Sequence, residues 1–560
     1  MNKRKQMYQS TLFIVLFTFY HVIGIAQEKT DSKKPITFEP TWESLKQYES
    51  PEWFRDAKFG IWAHWGAQCE PEADDWYARN MYIEKTAGYR FTDSTGTVGT
   101  ETNRQYLYHL DHYGHPSEFG FKDVINEWKA ENFNADSLLT LYKDCGARYF
   151  MAMANHHDNF DNYNSKYQPW NSVNMGPKRD IIGEWSKAAR KLGLRFGVSV
   201  HASHAWSWYE TAQGADTEGP YAGIPYDGKL TKADGKGKWW EGYDPQDLYE
   251  QNHKANPNNI VEWSWDPNLG VQTPDSAYIT KYYNRVIQLW DDYKPDQIYF
   301  DDFVLPLYEI DSTLGLKMAA HFYNTNTKWN GRNEAVMNTK MLNEEQRDAI
   351  MLDIEKSNAP DILPDAWQTD ECIGTWHYNR QMYYQHKYKQ AAEIIPMLVD
   401  IVSKNGNLML NLPLRGDGTL DSDEIKIIKE IGAWLKINGE AIYATRPWKV
   451  SGEGPSTKKA PRHQTFGSSY TEYSSEDIRF TRSKDNKTLF AIVLAWPEDG
   501  RINIKSLAKG APTAEKIKDV SLIGYEGKIN WKLGDKGLQV NLPNKLVSEH
   551  GFAIKIHKKP

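Results

Sequence analysis

The stretch Arg148-Tyr149-Phe150-Met151-Ala152-Met153-Ala154, followed at once by Asn155-His156-His157-Asp158, decides the fold. A short apolar run of this length reads as a buried strand, and it ends on a cluster of polar side chains able to do chemistry. The flanks repeat the unit. Ser137 to Lys143 before it and Ile181 to Lys191 after it have helical spacing, and Leu194 to Val200 is a second apolar run that ends at His201. Further out, Lys58 to Ala63 ends at His64. A long helix from Tyr278 to Tyr293, stopped by Pro295, leads into Gln297 to Phe300, which ends at Asp301. Ala335 to Met337 and Met351 to Ile354 follow, the latter running into Glu355, and the helix Tyr388 to Ser403 precedes Asn407 to Leu412. Strands alternating with helices predict βαβ units and a parallel sheet. About eight such units predict an α/β fold over residues 27–446, a (β/α)8-like barrel with insertions at Tyr89–Gly114 and Thr211–Gln272. All strand C-termini of such a barrel meet at one face, so His64, His156, His201, Asp301 and Glu355 are expected to converge there.

The texture changes after Pro447. Short runs at Ile478–Thr481, Thr488–Ala495, Ile502–Ile504, Val520–Ile523, Ile529–Lys532, Leu538–Val540 and Phe552–Ile556 predict a C-terminal all-β sandwich over residues 447–560. It carries no charged constellation, which favours a packing domain over a carbohydrate-binding module. At the other end, Lys3, Arg4 and Lys5 precede an apolar run from Thr11 to Ile25, with small residues at Gly24-Ile25-Ala26. This succession predicts a signal peptide over residues 1–26, a mature start near Gln27 and a secreted or periplasmic location. The run is short for a membrane span and no second one follows, so stable membrane insertion is not expected.

Net charge is −7 with signs interspersed, which argues against nucleic acid or an anionic membrane as the main partner. Aromatic residues make up 13% of the chain, with 22 Trp and 33 Tyr. Their flat faces suit the apolar C–H faces of sugar rings. Cys69, Cys145 and Cys372 are isolated, form no CxxC motif and are expected as free thiols.

Four segments together resemble glycoside hydrolase family 29, the α-L-fucosidases, across roughly residues 45–450. They are Trp53-Phe54 with Lys58-Phe59-Gly60-Ile61-Trp62-Ala63-His64-Trp65-Gly66 and Asp75-Trp76-Tyr77; His156-His157-Asp158; Pro295-Asp296-Gln297-Ile298-Tyr299-Phe300-Asp301; and Gly406-Asn407-Leu408-Met409-Leu410-Asn411 with Gly416-Asp417-Gly418-Thr419, Trp434-Leu435 and Asn438-Gly439-Glu440-Ala441-Ile442-Tyr443. The resemblance implies a barrel with a C-terminal β-sandwich and a retaining mechanism, which needs two carboxyl groups about 5–5.5 Å apart. It places the nucleophile at Asp301, with Tyr299 where the family has Trp. Asp302 adjoins it, but alternation along a strand lets only one of the two face the pocket. The acid/base position varies in the family. Glu355 is expected here, with Asp353 one step deeper as the rival and Glu344 and Glu371 as outsiders. His64, His156 and His157 match sugar-binding histidines, and an imidazole can both donate and accept. Trp76 and Trp376 complete the expected substrate contacts.

Three departures line the expected pocket: Asp75 for the usual Glu, His201 near a usual Tyr and Lys340 near a common Arg. They bear on the sugar rather than the reaction. The leading function is therefore exo-α-L-fucosidase action on a glycan. The alternatives are exo-α-L-galactosidase action on an L-galactose-containing polysaccharide and a non-catalytic glycan-binding protein. No cofactor is expected. Neither His156-His157-Asp158 nor His201-Ala202-Ser203-His204 has the spacing of a metal motif, and Asp417 to Glu424 lacks that of a calcium loop. The oligomeric state is not readable from the chain.

Overall fold

A computed structural model describes residues 36–85, 103–256, 272–458 and 473–559. The expected signal peptide and much of the Tyr89–Gly114 insertion lie outside the described residues. Eight parallel strands form one sheet: β1 (Phe59–Ala63), β2 (Tyr149–Asn155), β3 (Arg195–Val200), β4 (Gln297–Phe303), β5 (Val336–Lys340), β6 (Met351–Leu352), β7 (Trp367–Cys372) and β8 (Gly406–Asn411). Their order is β6-β5-β4-β3-β2-β1-β8-β7. The two edges meet through a parallel bridge between Asp353 and Gln368 and a hydrogen bond from Ile354 N–H to the Gln368 carbonyl at 2.9 Å, which closes the barrel.

Helices cover the outside, and their ends are written in the sequence. Asp180 caps Ile181–Leu192 by accepting from Gly183 N–H, and Gly193 ends that helix in the left-handed region at φ 69°. Asp421 and Glu424 form a capping box at the start of Ser422–Asn438. The strands predicted from apolar runs appear within a few residues of their expected positions. β7 was not predicted, because its inward residues Gln368 and Asp370 are polar and break the apolar run.

The barrel interior is partly polar. Tyr149 Oη donates to Gln368 Oε1 (3.1 Å), while Gln297 Nε2 donates to both Asn338 Oδ1 (2.7 Å) and Gln368 Oε1 (2.9 Å). Gln368 Nε2 in turn donates to Asp353 Oδ2 (2.8 Å). The Tyr149 ring lies against β1 where only a glycine fits: a Cβ on Gly60 would stand 2.4 Å from it.

The C-terminal domain has two antiparallel sheets. β9 (Thr445–Glu453), β10 (Ile478–Ser483), β11 (Thr488–Val493), β13 (Ile517–Leu522) and β16 (Phe552–Lys558) form one, and β12 (Arg501–Ile504), β14 (Asn530–Gly534) and β15 (Gly537–Asn541) form the other. Phe480, Leu489, Val493 and Ile554 pack between them with Ile504, Leu538 and Val540. The opposite face of the larger sheet offers Phe490, Ile492 and Ala553 to the core of the barrel domain. Cys69, Cys145 and Cys372 are buried free thiols. Among the described residues no helix is long and apolar enough to cross a membrane.

Candidate active site

Asp301 stands near the C-terminal end of β4 with its carboxylate in a cage of donors. Oδ2 faces His157 Nε2 (3.3 Å) and His201 Nδ1 (3.2 Å), and Oδ1 accepts from Lys340 Nζ (2.5 Å). Burial alone would push this carboxyl up. The Lys340 ammonium and the hydrogen bonds from His157 and His201 outweigh it and hold Asp301 well below the usual carboxylate range. Asp302 points to the other side of the strand, as alternation requires. It is buried there against Ser203 Oγ (2.8 Å) and His204 Nε2 (3.3 Å).

Lys340, at the end of β5, also donates to Glu355 Oε2 at 2.5 Å. Asp301 Oδ1 and Glu355 Oε2 therefore lie no further apart than twice that distance. Burial would lower the lysine, but Asp301, Glu355 and Asp370 hold its charge in place, well above the ordinary value. The Glu355 side chain is 37% exposed, against 15% for Asp301. Asp353 is buried beneath, bonded to Gln368. Glu355 can reach a substrate oxygen, and Asp353 sits in the barrel interior.

A nest of rings forms the floor. His64 packs within 5.0 Å of both His156 and His201, centroid to centroid, and 4.5 Å from His377. Burial, reinforced by neighbouring imidazoles, pushes His64 and His156 well below the ordinary histidine range; burial pushes His157 down to about 4 against the pull of Asp301. His64 and His156 are neutral at physiological pH, so each can offer one donor and one acceptor, whereas both His157 nitrogens face acceptors, the His201 carbonyl (2.8 Å) and Asp301. Gln68 Oε1 accepts from Ala78 N–H, which turns its amide NH2 toward His156 Nδ1 (2.8 Å). The ring proton of His156 then belongs on Nε2. Trp62 Nε1, His64 Nδ1, His201 Nε2 and His377 Nε2 are buried with no hydrogen-bond partner among the described residues.

The remaining expected contacts are placed as follows. Asp75 spends both oxygens on a loop: Oδ2 accepts from Trp376 N–H (3.1 Å), and Oδ1 from His377 N–H (2.6 Å) and the His377 ring (3.2 Å). This holds Trp376 over the floor, 5.4 Å from Trp62, with Lys356 Nζ 4.7 Å from its ring. Trp76 takes a left-handed backbone (φ 61°) and meets Trp208 edge-on at 5.1 Å. Tyr299 is buried in the barrel, between Trp62 and His201 and below Lys340. Sequence reasoning missed His377, Asp370, Gln68 and Trp208. Only Trp208, in the aromatic run just before the Thr211–Gln272 insertion, carried any signal.

Among the described residues, two groups bring potential metal ligands within 4.8 Å of one another: His64, His156 and His201, and His157, His201 and Asp301. Their hydrogen bonding suits hydroxyls better. The Gln68 amide keeps His156 Nδ1 as an acceptor, His201 Nδ1 is directed at Asp301, and the Lys340 ammonium repels a second cation at that carboxylate.

Two carboxylates sharing one ammonium at the strand ends of a parallel barrel, above a floor of neutral imidazoles and indoles, define a glycoside hydrolase. The comparisons give the particular family. The sequence model of the α-L-fucosidases matches residues 25–440, and that of the α-L-fucosidase C-terminal domain matches residues 471–557. The chain belongs to the α-L-fucosidase family, glycoside hydrolase family 29. It is 26% identical over 518 residues to the tissue α-L-fucosidase of Rattus norvegicus, covering 91% of this chain and 89% of that one. It is 25% identical over 557 residues to that of Homo sapiens, covering 97% and 96%. The solved structure of Thermotoga maritima α-fucosidase in complex with a mechanism-based inhibitor superposes with a TM-score of 0.66 at 24% identity, covering 93% of this chain and 100% of that one. α-L-fucosidase isoenzyme 1 from Paenibacillus thiaminolyticus gives 0.58 at 17%, with the same coverage. These two likenesses bear on the fold.

Proposed function

We propose that the protein is an exported, retaining exo-α-L-fucosidase that releases terminal α-L-fucose from glycans by double displacement. The observation that carries this reading is the pairing of Asp301 with Glu355 across Lys340, a separation suited to retention and too short for the water of an inverting enzyme. In the first step an Asp301 oxygen bonds to the anomeric carbon as the bond to the aglycone oxygen breaks, and Glu355 gives that oxygen its proton. In the second, Glu355 takes a proton from water, the water oxygen bonds to the anomeric carbon, and the ester to Asp301 breaks. Two inversions restore the α configuration. The buried histidines and Trp62 are placed to bind the hydroxyls of one terminal sugar.

Hydrolysis of an aryl α-L-fucoside followed by proton NMR tests this. α-L-fucose is expected as the first product, and β-L-fucose appearing first overturns the retaining assignment. Asp301→Asn keeps the side-chain volume and is expected to lose at least ~10³-fold in turnover. N-terminal sequencing of exported protein is expected to begin near Gln27, and an intact Met1 on exported material overturns cleavage at that position.

The polar lining at Trp62, His64, His201 and His377 supports a second reading, action on α-L-galactosides, whose sugar carries a hydroxyl on C6 where fucose has hydrogen. Comparison of kcat/KM on matched aryl glycosides decides it, and a fucoside preference above ~10⁴ removes it.

A further inference from the structure

Asp75 and His377 form a pair that the reaction outlined above leaves without a stated role. Asp75 Oδ1 accepts from His377 N–H (2.6 Å) and faces the ring Nδ1 of the same residue (3.2 Å), while Oδ2 accepts from Trp376 N–H (3.1 Å). The peptide is pinned from its other side as well. Asn411 Nδ2, at the end of β8, donates to the Trp376 carbonyl (2.8 Å), and Thr375 Oγ1 donates to that of His377 (2.7 Å). Backbone and ring of His377 are thus fixed together. A carboxylate only accepts, so Nδ1 carries a hydrogen, and Nε2, which points the opposite way out of the ring, is the nitrogen left to face a ligand.

That nitrogen lies among the floor rings. His377 is fully buried, with its ring 4.5 Å from that of His64 and 4.7 Å from that of His156. Its Nε2 has no hydrogen-bond partner among the described residues, and neither have Trp62 Nε1, His64 Nδ1 and His201 Nε2 in the same nest. Trp62 and His201 each stand within 5.0 Å of His64, centroid to centroid. A buried polar atom without a partner is costly to a fold. Four of them in one nest complement a polyhydroxylated ring, each of whose hydroxyls can donate and accept.

We propose that His377 is a further substrate-binding residue, its Nε2 taking one ring hydroxyl of the terminal sugar, and that Asp75 is a positioning residue that acts on the sugar through His377 rather than by touching it. This rests on the reading of the site as that of an exo-α-L-fucosidase. Both Asp75 oxygens are already engaged by the loop, and the carboxylate stands behind the imidazole, on the side away from Nε2. The direct sugar contact expected of Asp75 therefore passes to the histidine it orients.

The test is kcat/KM on an aryl α-L-fucoside and on its analogues lacking the hydroxyl at C2, C3 or C4, each variant being compared with wild type on the same substrate. His377→Phe keeps a flat ring and removes both nitrogens. It is expected to lose roughly tenfold or more on the parent fucoside, as deletion of a buried hydrogen bond does, and less than about threefold on one of the analogues, the one that lacks its hydroxyl. Asp75→Asn leaves His377 in place but offers one accepting oxygen where the carboxylate has two. Its loss is expected to be about threefold or more on the parent and to shrink on that same analogue. This variant carries the test alone if His377→Phe does not fold. A merely structural disturbance lowers kcat/KM by one factor on the parent and all its analogues. Equal losses across these substrates in either variant, relief on different analogues in the two, or no loss in His377→Phe overturns the proposal and leaves the fucosidase reading standing. A wild-type enzyme inert on the parent fucoside overturns both.

Discussion

Lys340 Nζ bonds Asp301 and Glu355 at the same 2.5 Å, so one side chain sets the electrostatics of both. Asp301 is ionised chiefly because this ammonium overcomes the cost of its burial. Replacing Lys340 by Met leaves the burial and removes the compensation, so Asp301 takes up a proton at higher pH. The acid limb of kcat/KM in Lys340→Met is expected to move to higher pH, and an unmoved limb would mean that the histidines suffice. Glu355→Gln should separate substrates by their leaving groups. Glycans with poor leaving groups are expected to lose about 10²–10⁴-fold, and aryl fucosides with good ones much less, because they need little protonation. If Asp353→Asn gives that selective pattern instead, the acid is Asp353. At this scale much of the site was legible. His64, His156, His201, Asp301 and Glu355 each follow an apolar run, and barrel geometry brings such positions together. His377 and Asp370 were not legible, since neither follows a run that reads as a strand.

The first strand brings a second titratable group with it. Lys58, between the helix Glu52–Ala57 and β1, is fully buried, and its Nζ has no hydrogen-bond partner among the described residues. Burial, with Arg446 and Arg55 nearby and only Asp56 opposing, pushes it down to about 7. Between that pH and the ordinary lysine value near 10.5 the unfolded chain binds the extra proton, so this group makes stability rise with pH across the window. The penalty is complete below pH ~7. Lys58→Met, which keeps the stem and the backbone geometry, is expected to raise Tm more at pH 6 than at pH 10. An equal shift at both would show that the ammonium is not the cost. The Thr211–Gln272 insertion shows why periodicity failed elsewhere. Its described part has no regular period: besides the scattered core residues Tyr226, Trp240 and Leu248 it is held by polar anchors, with Asp227 accepting from Tyr82 (2.7 Å), Tyr249 (2.8 Å) and Lys122 (2.8 Å), and Asp216 from Tyr106 and Tyr226 (both 2.5 Å).

Barrel and sandwich share a core. Phe490, Ile492 and Ala553 pack with the barrel domain, Trp434 Nε1 donates to the Gly551 carbonyl (2.9 Å), and Thr481 Oγ1 donates to that of Ala441 (2.7 Å). Asp400 pairs with Arg479, and Asp56 with Arg446 (2.8 Å) and Lys484 (2.5 Å). A chain ending after Arg446 would leave this apolar face uncovered and the half-buried Asp400 without its Arg479 partner. It is expected to be insoluble or to unfold well below the full-length protein, and the full-length protein to unfold in one calorimetric transition. A soluble, active truncated barrel would show that the sandwich is dispensable. The packing role expected of the C-terminal domain has this joint as its physical basis.

The sequence alone determined the alternation of strand and helix, and hence the barrel, because apolar burial on a parallel sheet leaves a pattern along the chain that needs no partner to be read. For the same reason it set out the strand-end histidines and Asp301. Tertiary structure decided what those groups do to one another. That Lys340 would bridge two carboxylates and that Asp75 would hold the Trp376–His377 loop are facts of distance in space rather than of spacing along the chain. Electrostatic coupling depends on that distance and on burial, and neither is encoded in spacing along the chain.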